Sequence, residues 1–481
     1  MPEEKKDIGI TVKKSGNPSE WYQQVILKAE MADYTEVSGC MVLRPRSMVI
    51  WEKVQEYFNK ELKKRGIKNA YFPLFIPEKF LMKEKEHVEG FTPEVAWVTH
   101  SGDTELAEKL AVRPTSETIM YDSYSRWIRS YRDLPLRINQ WANVVRWEFN
   151  NPIPFLRTRE FLWQEGHTVF AEKKEAEAEV LDILELYRKL FEELYAVPMI
   201  KGMKSDKEKF AGAVYTTSIE TFLPTGKAIQ GATSHFLGQN FSKAFNIQFL
   251  DKNEKNQFGW QNSWGLSTRS IGVMIMFHSD DKGLVLPPAV APTHAVVVPI
   301  YTKDKEKVLK EAKKIKDSIK GLDIVLDDRD EYTPGYKFSD WEMKGVPVRI
   351  EIGPKDIEKK QVVLVRRDTG KKEFIPIKDI NTKLKSLLKD IQKNLLEKAR
   401  KSLKASIVEV KTWDEFVKAI KDQKMVRAPW CRETACEDLI KDKSGGAKSI
   451  NIPFDQPKKI SGKCAHCGKT AKCFALFAKS Y

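Results

Sequence analysis

The segment RWEFNNPIPFLRTREFLWQEGH, residues 146–167, limits what this chain can fold into more than any other stretch. It lies between LRINQWANVV and TVFAE, two runs with the apolar and aromatic make-up of strands. An ordinary strand exposes a few charges on one face. Here arginines, glutamates, phenylalanines and tryptophans crowd around a polar NNPIP turn. Residues two apart on a strand share a face, so Arg146 and Glu148 are expected to leave one side of a sheet together. A hairpin returning through NNPIP brings back Arg157 and Phe161, with Glu165 four residues further on. A permanent cation suits phosphate, a carboxylate accepts from an amine, and an aromatic ring stacks on a purine. Taken singly, each residue is more at home in a surface ion pair or a core. As a set, they point to a nucleotide site built on a sheet.

A chain of 481 residues exceeds a single core, and two to four domains are expected. The net charge of +15 is uneven: residues 351–404 hold sixteen Lys/Arg against eight Asp/Glu. Such a stretch is either a solvated helix face or a surface for a polyanion such as RNA. The start, MPEEKKD, has no apolar signal core, and no run of eighteen apolar residues occurs, so a cytoplasmic protein with no membrane partner is expected.

Helical spacing of Trp51, Val54, Phe58 and Leu62, with Pro45 before and Gly66 after, predicts a helix over 46–65. NAYFPLF reads as a buried strand with an edge or bulge at its proline, and 134–149 as a strand. Residues 172–195 predict a helix with Leu181, Leu184, Phe191 and Leu194 inside. Residues 268–278 fit either a buried helix or a strand. From HAVVVPIY onward, strands alternate with helices, predicting a small α/β unit over roughly 284–380. A Lys-rich helix over about 379–404 leads to a cysteine-bearing end. The expected division is a tail (1–18), an α+β domain (19–283), an α/β domain (284–395) and a C-terminal α/β domain (396–481).

Five of the six cysteines lie at the C-terminal end. Cys431 and Cys436, then Cys464 and Cys467, form two short-spaced pairs that suit a tetrahedral thiolate Zn²⁺ site better than disulfides. His466 is a rival ligand. Cys40 and Cys473 read as small core residues.

The arginine–x–glutamate, loop and arginine–x₃–phenylalanine of 146–161 resemble motif 2 of class II aminoacyl-tRNA synthetases. VVRWE and LRTREFLWQEGH are similar to the prolyl-tRNA synthetases of the archaeal/eukaryotic-like type. So are AVRPTSET, KFAGAVYTTSIE, GATSHFLGQNF, NSWGLSTRSIG and DDRDEYTPGYKFSDWEMKGVP, in the family's order. The resemblance implies an antiparallel-sheet catalytic domain, an α/β anticodon-binding domain and a C-terminal zinc domain. RPRSMVIWEKVQEYF and YFPLFIP resemble motif 1, which implies a homodimer.

By the same resemblance, Arg146 bridges the α-phosphate of ATP and the carboxylate of L-proline. Glu148, Arg157, Thr158, Gln230 and Thr233 approach the nucleotide, Phe161 stacks on adenine, and Arg269 is the motif 3 arginine facing the phosphates. Thr115 and Glu117 receive the secondary ammonium of proline. Trp163, Glu165, His167, His235, Ser263, Trp264 and Gly265 wall the proline pocket. Pro-Thr-Ser-Glu is also an ordinary helix start. The Glu that precedes the motif 3 arginine in many class II enzymes is missing, so no residue is assigned to Mg²⁺. Glu342, Lys355, Asp356 and Lys371 are implied readers of the tRNA(Pro) anticodon. The family's bacterial-type editing insertion has no room between His167 and Thr233, so hydrolytic proofreading in cis is not expected. The rivals are a class II enzyme for another amino acid and a non-catalytic relative that binds tRNA. VRPTSE, WQEGH and TSHFLG argue against the first, and intact Thr115, Glu117, Arg146 and Arg269 against the second.

Overall fold

A computed structural model describes residues 9–81, 94–148, 151–301 and 304–481. The hairpin forms, but its first strand is shorter than the expected 134–149 and ends before Arg146 and Glu148. Strands Leu136–Val145 and Glu160–Phe170 pair antiparallel along their whole length, from Leu136↔Val169 to Val145↔Glu160. Trp260–Ser267, Ala228–Gly238, Tyr215–Phe222 and Ile200–Met203 add in turn, each antiparallel to the last.

The period of two separates this sheet into two chemistries. Gln164 and Thr168 point to the helix Lys173–Glu193, where they meet Tyr187 and Glu179. Trp163, Glu165 and His167 point the other way, into a cavity. The helices Pro45–Lys64, Lys173–Glu193 and Arg269–His278 cover the first face and share one core. In the Lys173–Glu193 helix the buried stripe is Ala176, Val180, Ile183, Leu184, Tyr187, Leu190 and Phe191. Leu181 was expected inside but is 52% exposed. It follows Val180 by one step, about 100° around the helix, and leaves the stripe. Arg269–His278 is helical, and its residues from Ser270 to Phe277 are all buried, which explains why its pattern carried no period.

NAYFPLF is not one buried strand. Lys68–Asn69 and Phe75–Pro77 are separate short strands, and Tyr71 between them is 70% exposed. Pro73 lacks the N–H that a continuous ladder would need. The described part of the expected tail is held down: Lys14 Nζ donates to Met276 O at 2.7 Å and to Ser279 O at 2.8 Å, at the end of the Arg269–His278 helix. Terminal helix carbonyls lack intrahelical donors, and a distant lysine supplies one here.

The α/β unit carries a five-stranded sheet in the order Ile324–Leu326, Ala295–Pro299, Val348–Ile352, Gln361–Arg366, Lys372–Pro376. The first three are parallel and the last two antiparallel. The helix Ile380–Ser406 is more than a link. Leu384, Leu387 and Leu388 belong to the α/β core, Ala399 to the core beneath the large sheet, and Leu403 to a third cluster. That cluster joins Phe222 and Ala228 to Met425, Ile450 and Leu476 of the C-terminal unit. The C-terminal strands continue the large sheet through Ile452↔Met203 and Pro453↔Gly202, giving eleven strands among the described residues. Leu403→Ala is expected to lower stability by about 2–5 kcal/mol. Urea unfolding followed by tryptophan fluorescence measures this, and a change under about 1 kcal/mol would mean that the three-way contact is slack.

Candidate active site

Thr115 and Glu117 enter the cavity from the connection between the strand Thr104–Val112 and the helix Glu117–Trp127. Thr115 Oγ1 donates to Glu117 Oε2, and both side chains are buried. The opposite wall is the polar face of the sheet. His167 Nε2 meets Glu165 Oε2 at 3.0 Å, and its Nδ1 meets the Tyr121 hydroxyl at 3.0 Å. Ser116 Oγ and Gln140 Nε2 donate to Glu165 Oε1.

Burial raises the Glu165 carboxyl, but the hydrogen bonds from His167, Ser116 and Gln140 and the His167 charge outweigh it and hold the group below its ordinary value. Burial lowers His167, but the Glu165 hydrogen bond and the charges of Glu117 and Glu165 prevail and raise it. Both shifts favour the charged forms, which suits a paired charge in a low-dielectric interior. His235 differs. Burial, then the charge of His167, pushes it down to about 3, so it is neutral and bonds Thr216 Oγ1 at 2.9 Å through Nδ1.

Arg146 follows the last residue of its strand, and its Nε donates to Pro114 O at 2.9 Å. Its guanidinium lies 5.6 Å from the Phe161 ring centre and 5.3 Å from that of Trp163, within cation–π range. Arg269 opens its helix, where backbone N–H groups add positive potential. Its Nε donates to Leu156 O at 3.0 Å, and burial, then repulsion from Arg146, lowers its pKa. A guanidinium remains a cation under both effects. With Ser263, Gly265, Gln230 and Thr233, these groups line one cavity of about 280 Å³.

Three residues expected beside them lie elsewhere. Arg157 lines an adjoining cavity that shares Gln230 and Arg269 with the first. Thr158 lines a separate apolar pocket behind Phe161. Glu148 is exposed and borders neither, because the chain leaves the ladder after Val145 and the two-residue alternation ends there. Glu208, Phe210 and Thr216 also line the cavity and were not singled out. Thr216 alternates with Ser218 and Glu220 along one strand, the one local signal that a polar face continues there. Gly265 needs no absent side chain, since an added Cβ would make ordinary contact with Trp163. The constrained glycine is Gly166, opposite Trp264 in the ladder, where a Cβ would lie 2.1 Å from the indole.

The four cysteine sulfurs of Cys431, Cys436, Cys464 and Cys467 lie within 4.8 Å of one another. Cys436–Cys464 and Cys431–Cys467 are 3.7 and 3.6 Å apart. A tetrahedron of thiolates about 2.3 Å from one ion has edges of about 3.8 Å, so this group can hold a metal. His466 Nδ1 sits 3.4 Å from Cys436 Sγ and is not part of the cluster.

Of the anticodon candidates, Glu342 lies in the last turn of the helix Pro334–Met343 and pairs with Arg349 at 3.1 Å. Asp356 caps the short helix Pro354–Glu358, which also holds Lys355, by accepting from Gly353 N at 3.0 Å. Lys371 sits in the turn before Lys372–Pro376. The four do not meet at one point.

Residues 97–278 match the class II tRNA synthetase core domain (G, H, P, S and T), 294–387 the anticodon binding domain, and 413–481 the prolyl-tRNA synthetase C-terminal domain. The cytoplasmic proline–tRNA ligase of Arabidopsis thaliana is 54% identical, covering 98% of this chain and 91% of that protein. The chain belongs to the prolyl-tRNA synthetase family of class II synthetases. The proline–tRNA ligase of Alkaliphilus oremlandii is 50% identical over 96% of both chains. The crystal structure of the family member from Cryptosporidium parvum, complexed with halofuginone and AMPPNP, gives a TM-score of 0.93 at 49% identity, covering 98% of this chain and 97% of that one. The family's antiparallel core, anticodon domain and C-terminal domain are therefore the three units seen here.

The ion pair carries a pH signature. Because the folded His167 value lies above 6.5, its contribution is complete below about pH 6.5 and is lost as pH rises through the raised value. Because the folded Glu165 value lies below 4.5, its contribution is present above about pH 4.5 and is lost as pH falls through the lowered value. The melting-temperature gap between the wild type and His167→Gln should be widest near pH 5–6 and shrink by pH 9. A gap independent of pH across that span would mean that His167 is neutral when folded.

Proposed function

We propose that this chain ligates L-proline to tRNA(Pro) in two steps through prolyl-adenylate. The observation that carries this reading is the pairing of an anionic acceptor, Thr115–Glu117, with a cation, Arg146, in one cavity. A prolinium ion presents the complementary ends: a secondary ammonium for Glu117 and a carboxylate for Arg146. His167 neutralises Glu165, so Glu117 is left as the acceptor of that single positive charge. Trp163, His235, Ser263 and Gly265 line the space for the ring.

ATP would lie with its adenine against Phe161 and its phosphates toward Arg146, Arg157 and Arg269, with Gln230 and Thr233 beneath. Thr158 and Glu148 are proposed nucleotide contacts on the resemblance of this segment to motif 2. Mg²⁺ arriving with ATP would supply charge neutralisation between the outer phosphates. The proline carboxylate attacks the α-phosphorus, the bond to the bridging oxygen breaks, and pyrophosphate leaves. The terminal ribose hydroxyl of tRNA then attacks the prolyl carbonyl and AMP leaves. No protein nucleophile is required. Arg146 and Arg269 act by alignment and by stabilising charge that develops on the phosphate.

The domain division is proposed as 19–283 for catalysis, 284–395 for the anticodon and 396–481 for the C-terminal unit. Glu342, Lys355, Asp356 and Lys371 are proposed anticodon contacts, spread over successive bases. The cysteine cluster is proposed as a structural Zn²⁺ site joining the strand Met425–Trp430, the helix Thr434–Lys443 and the 464–467 turn. A homodimer is in keeping with the exposed rings of Tyr71 and Phe75 on the motif 1 segment. A cytoplasmic location fits the cytoplasmic Arabidopsis relative.

ATP–pyrophosphate exchange across a panel of amino acids tests the assignment, with proline expected to dominate. Arg146→Ala should lower exchange by at least about 10²–10³, the scale for one preorganised charge-stabilising group, with Arg269→Ala close behind. Arg146→Ala retaining half of wild-type exchange would sink the reading. Metal analysis of purified protein should give about one Zn²⁺ per chain. Cys464→Ser with Cys467→Ser should release it and loosen the C-terminal unit first, and metal-free wild type would refute the site.

A further inference from the structure

The turn after the Arg269–His278 helix is fastened to the α/β unit by one arginine. Arg367 Nη1 and Nη2 donate to the two carboxylate oxygens of Asp280 at 2.8 and 2.6 Å, and Nη2 also reaches Gly283 O at 3.3 Å. Its Nε donates to Glu342 O at 3.0 Å. The fork therefore binds the catalytic unit on one edge and the end of the Pro334–Met343 helix on the other. Backbone meets backbone at the same place. Leu284 N donates to Met343 O at 3.0 Å, and a Cβ on Gly283, at φ +126°, would lie 2.5 Å from Met343 Cα. Nothing flexible separates the two units there.

The Glu342 carboxylate sits above this clasp. One oxygen is 3.1 Å from Arg349 Nη1, and the other 3.7 Å from Lys282 Nζ, a residue of the turn itself. A carboxylate has about four acceptor positions, so a base amine can bond Glu342 beside these cations, where it competes with Lys282, the more distant of the two and a residue of the turn. On the other side, Asp280 O accepts from Trp21 Nε1 at 3.1 Å and Ser279 O from Lys14 Nζ, so the turn is anchored to the catalytic core. From there a single ten-residue helix, about 15 Å long, runs back to Arg269.

We propose that Arg367 is a positioning residue that couples occupancy of Glu342 by an anticodon base to the placement of Arg269. This rests on the anticodon reading of the 284–395 unit given above. Bidentate Arg–carboxylate geometry is required, because a lysine keeps the charge and loses the fork.

The experiment compares tRNA(Pro) transcripts bearing the native anticodon or one replaced anticodon base, charged by the wild type, Arg367→Lys and Asp280→Asn. Exchange of pyrophosphate into ATP without tRNA is run alongside, and thermal melts check folding. In the wild type, base replacement should lower kcat at least about fivefold, the lower end for coupling between sites. In both variants that kcat ratio should fall below about twofold, while the KM difference persists and tRNA-free exchange stays within about twofold of wild type. A variant that keeps the wild-type kcat ratio overturns the coupling. So does tRNA-free exchange falling as far as charging, which would make the clasp a structural support for Arg269. A wild type that discriminates through KM alone overturns the coupling and leaves the anticodon reading standing. A wild type indifferent to the anticodon in both kcat and KM overturns that reading itself.

Discussion

Everything in the catalytic unit depends on separating the two faces of a single antiparallel sheet, one lining a charged cavity and the other packed against a largely apolar helical core in which the few polar groups find partners. The two-residue period of the strand Glu160–Phe170 accomplishes this within a few positions. Glu165 and His167 face the cavity as a mutually neutralising pair, while Gln164 and Thr168 satisfy polar partners on the covering helix. Each buried charge would be prohibitive alone. Glu165 also takes hydrogen bonds from Ser116 and Gln140, so the sheet and the helix start at 115–117 are held to each other by the same carboxylate.

Much of this was legible in the sequence where local pattern and chemistry agree. The helix Pro45–Lys64 has its proline and glycine punctuation and a clean apolar stripe. The four cysteines announce their own proximity by spacing, and His167, His235 and Ser263, expected in the pocket from the resemblance of their motifs, do line it. What escaped was decided by tertiary context. Leu181 carries the right chemistry one step off the stripe. Glu148 falls just where the ladder ends, so the alternation that predicts Arg146 does not extend to it. Glu208 and Phe210 reach the cavity from a loop with no period. Lys14 looks like one more surface lysine until the helix end that it caps, more than 260 residues away, is in view.

The long basic helix shows a similar limit. Its lysines suggested either a solvated face or an RNA surface, and the helix was expected only to lead to the cysteine-bearing end. Its apolar stripe in fact enters three cores in succession, because its length exceeds the α/β unit that it starts in. Arg400 and Gln392 add polar ties to Glu192 and to the backbone of Glu193. A charge census sees the exposed side of such an element and not what its buried side joins.

The ladder between Ile452–Pro453 and Gly202–Met203 has a mechanical meaning. Catalytic and C-terminal units are regions of one plate, not beads on a string. Rotating one against the other would shear main-chain hydrogen bonds and tear the cluster around Leu403. The α/β unit shares no strand with that plate and is attached by side-chain forks, turn backbone and one helix. Any movement of the α/β unit against the plate must therefore first break the Arg367–Asp280 clasp at the 280–286 turn, and the C-terminal unit moves as ballast with the catalytic sheet.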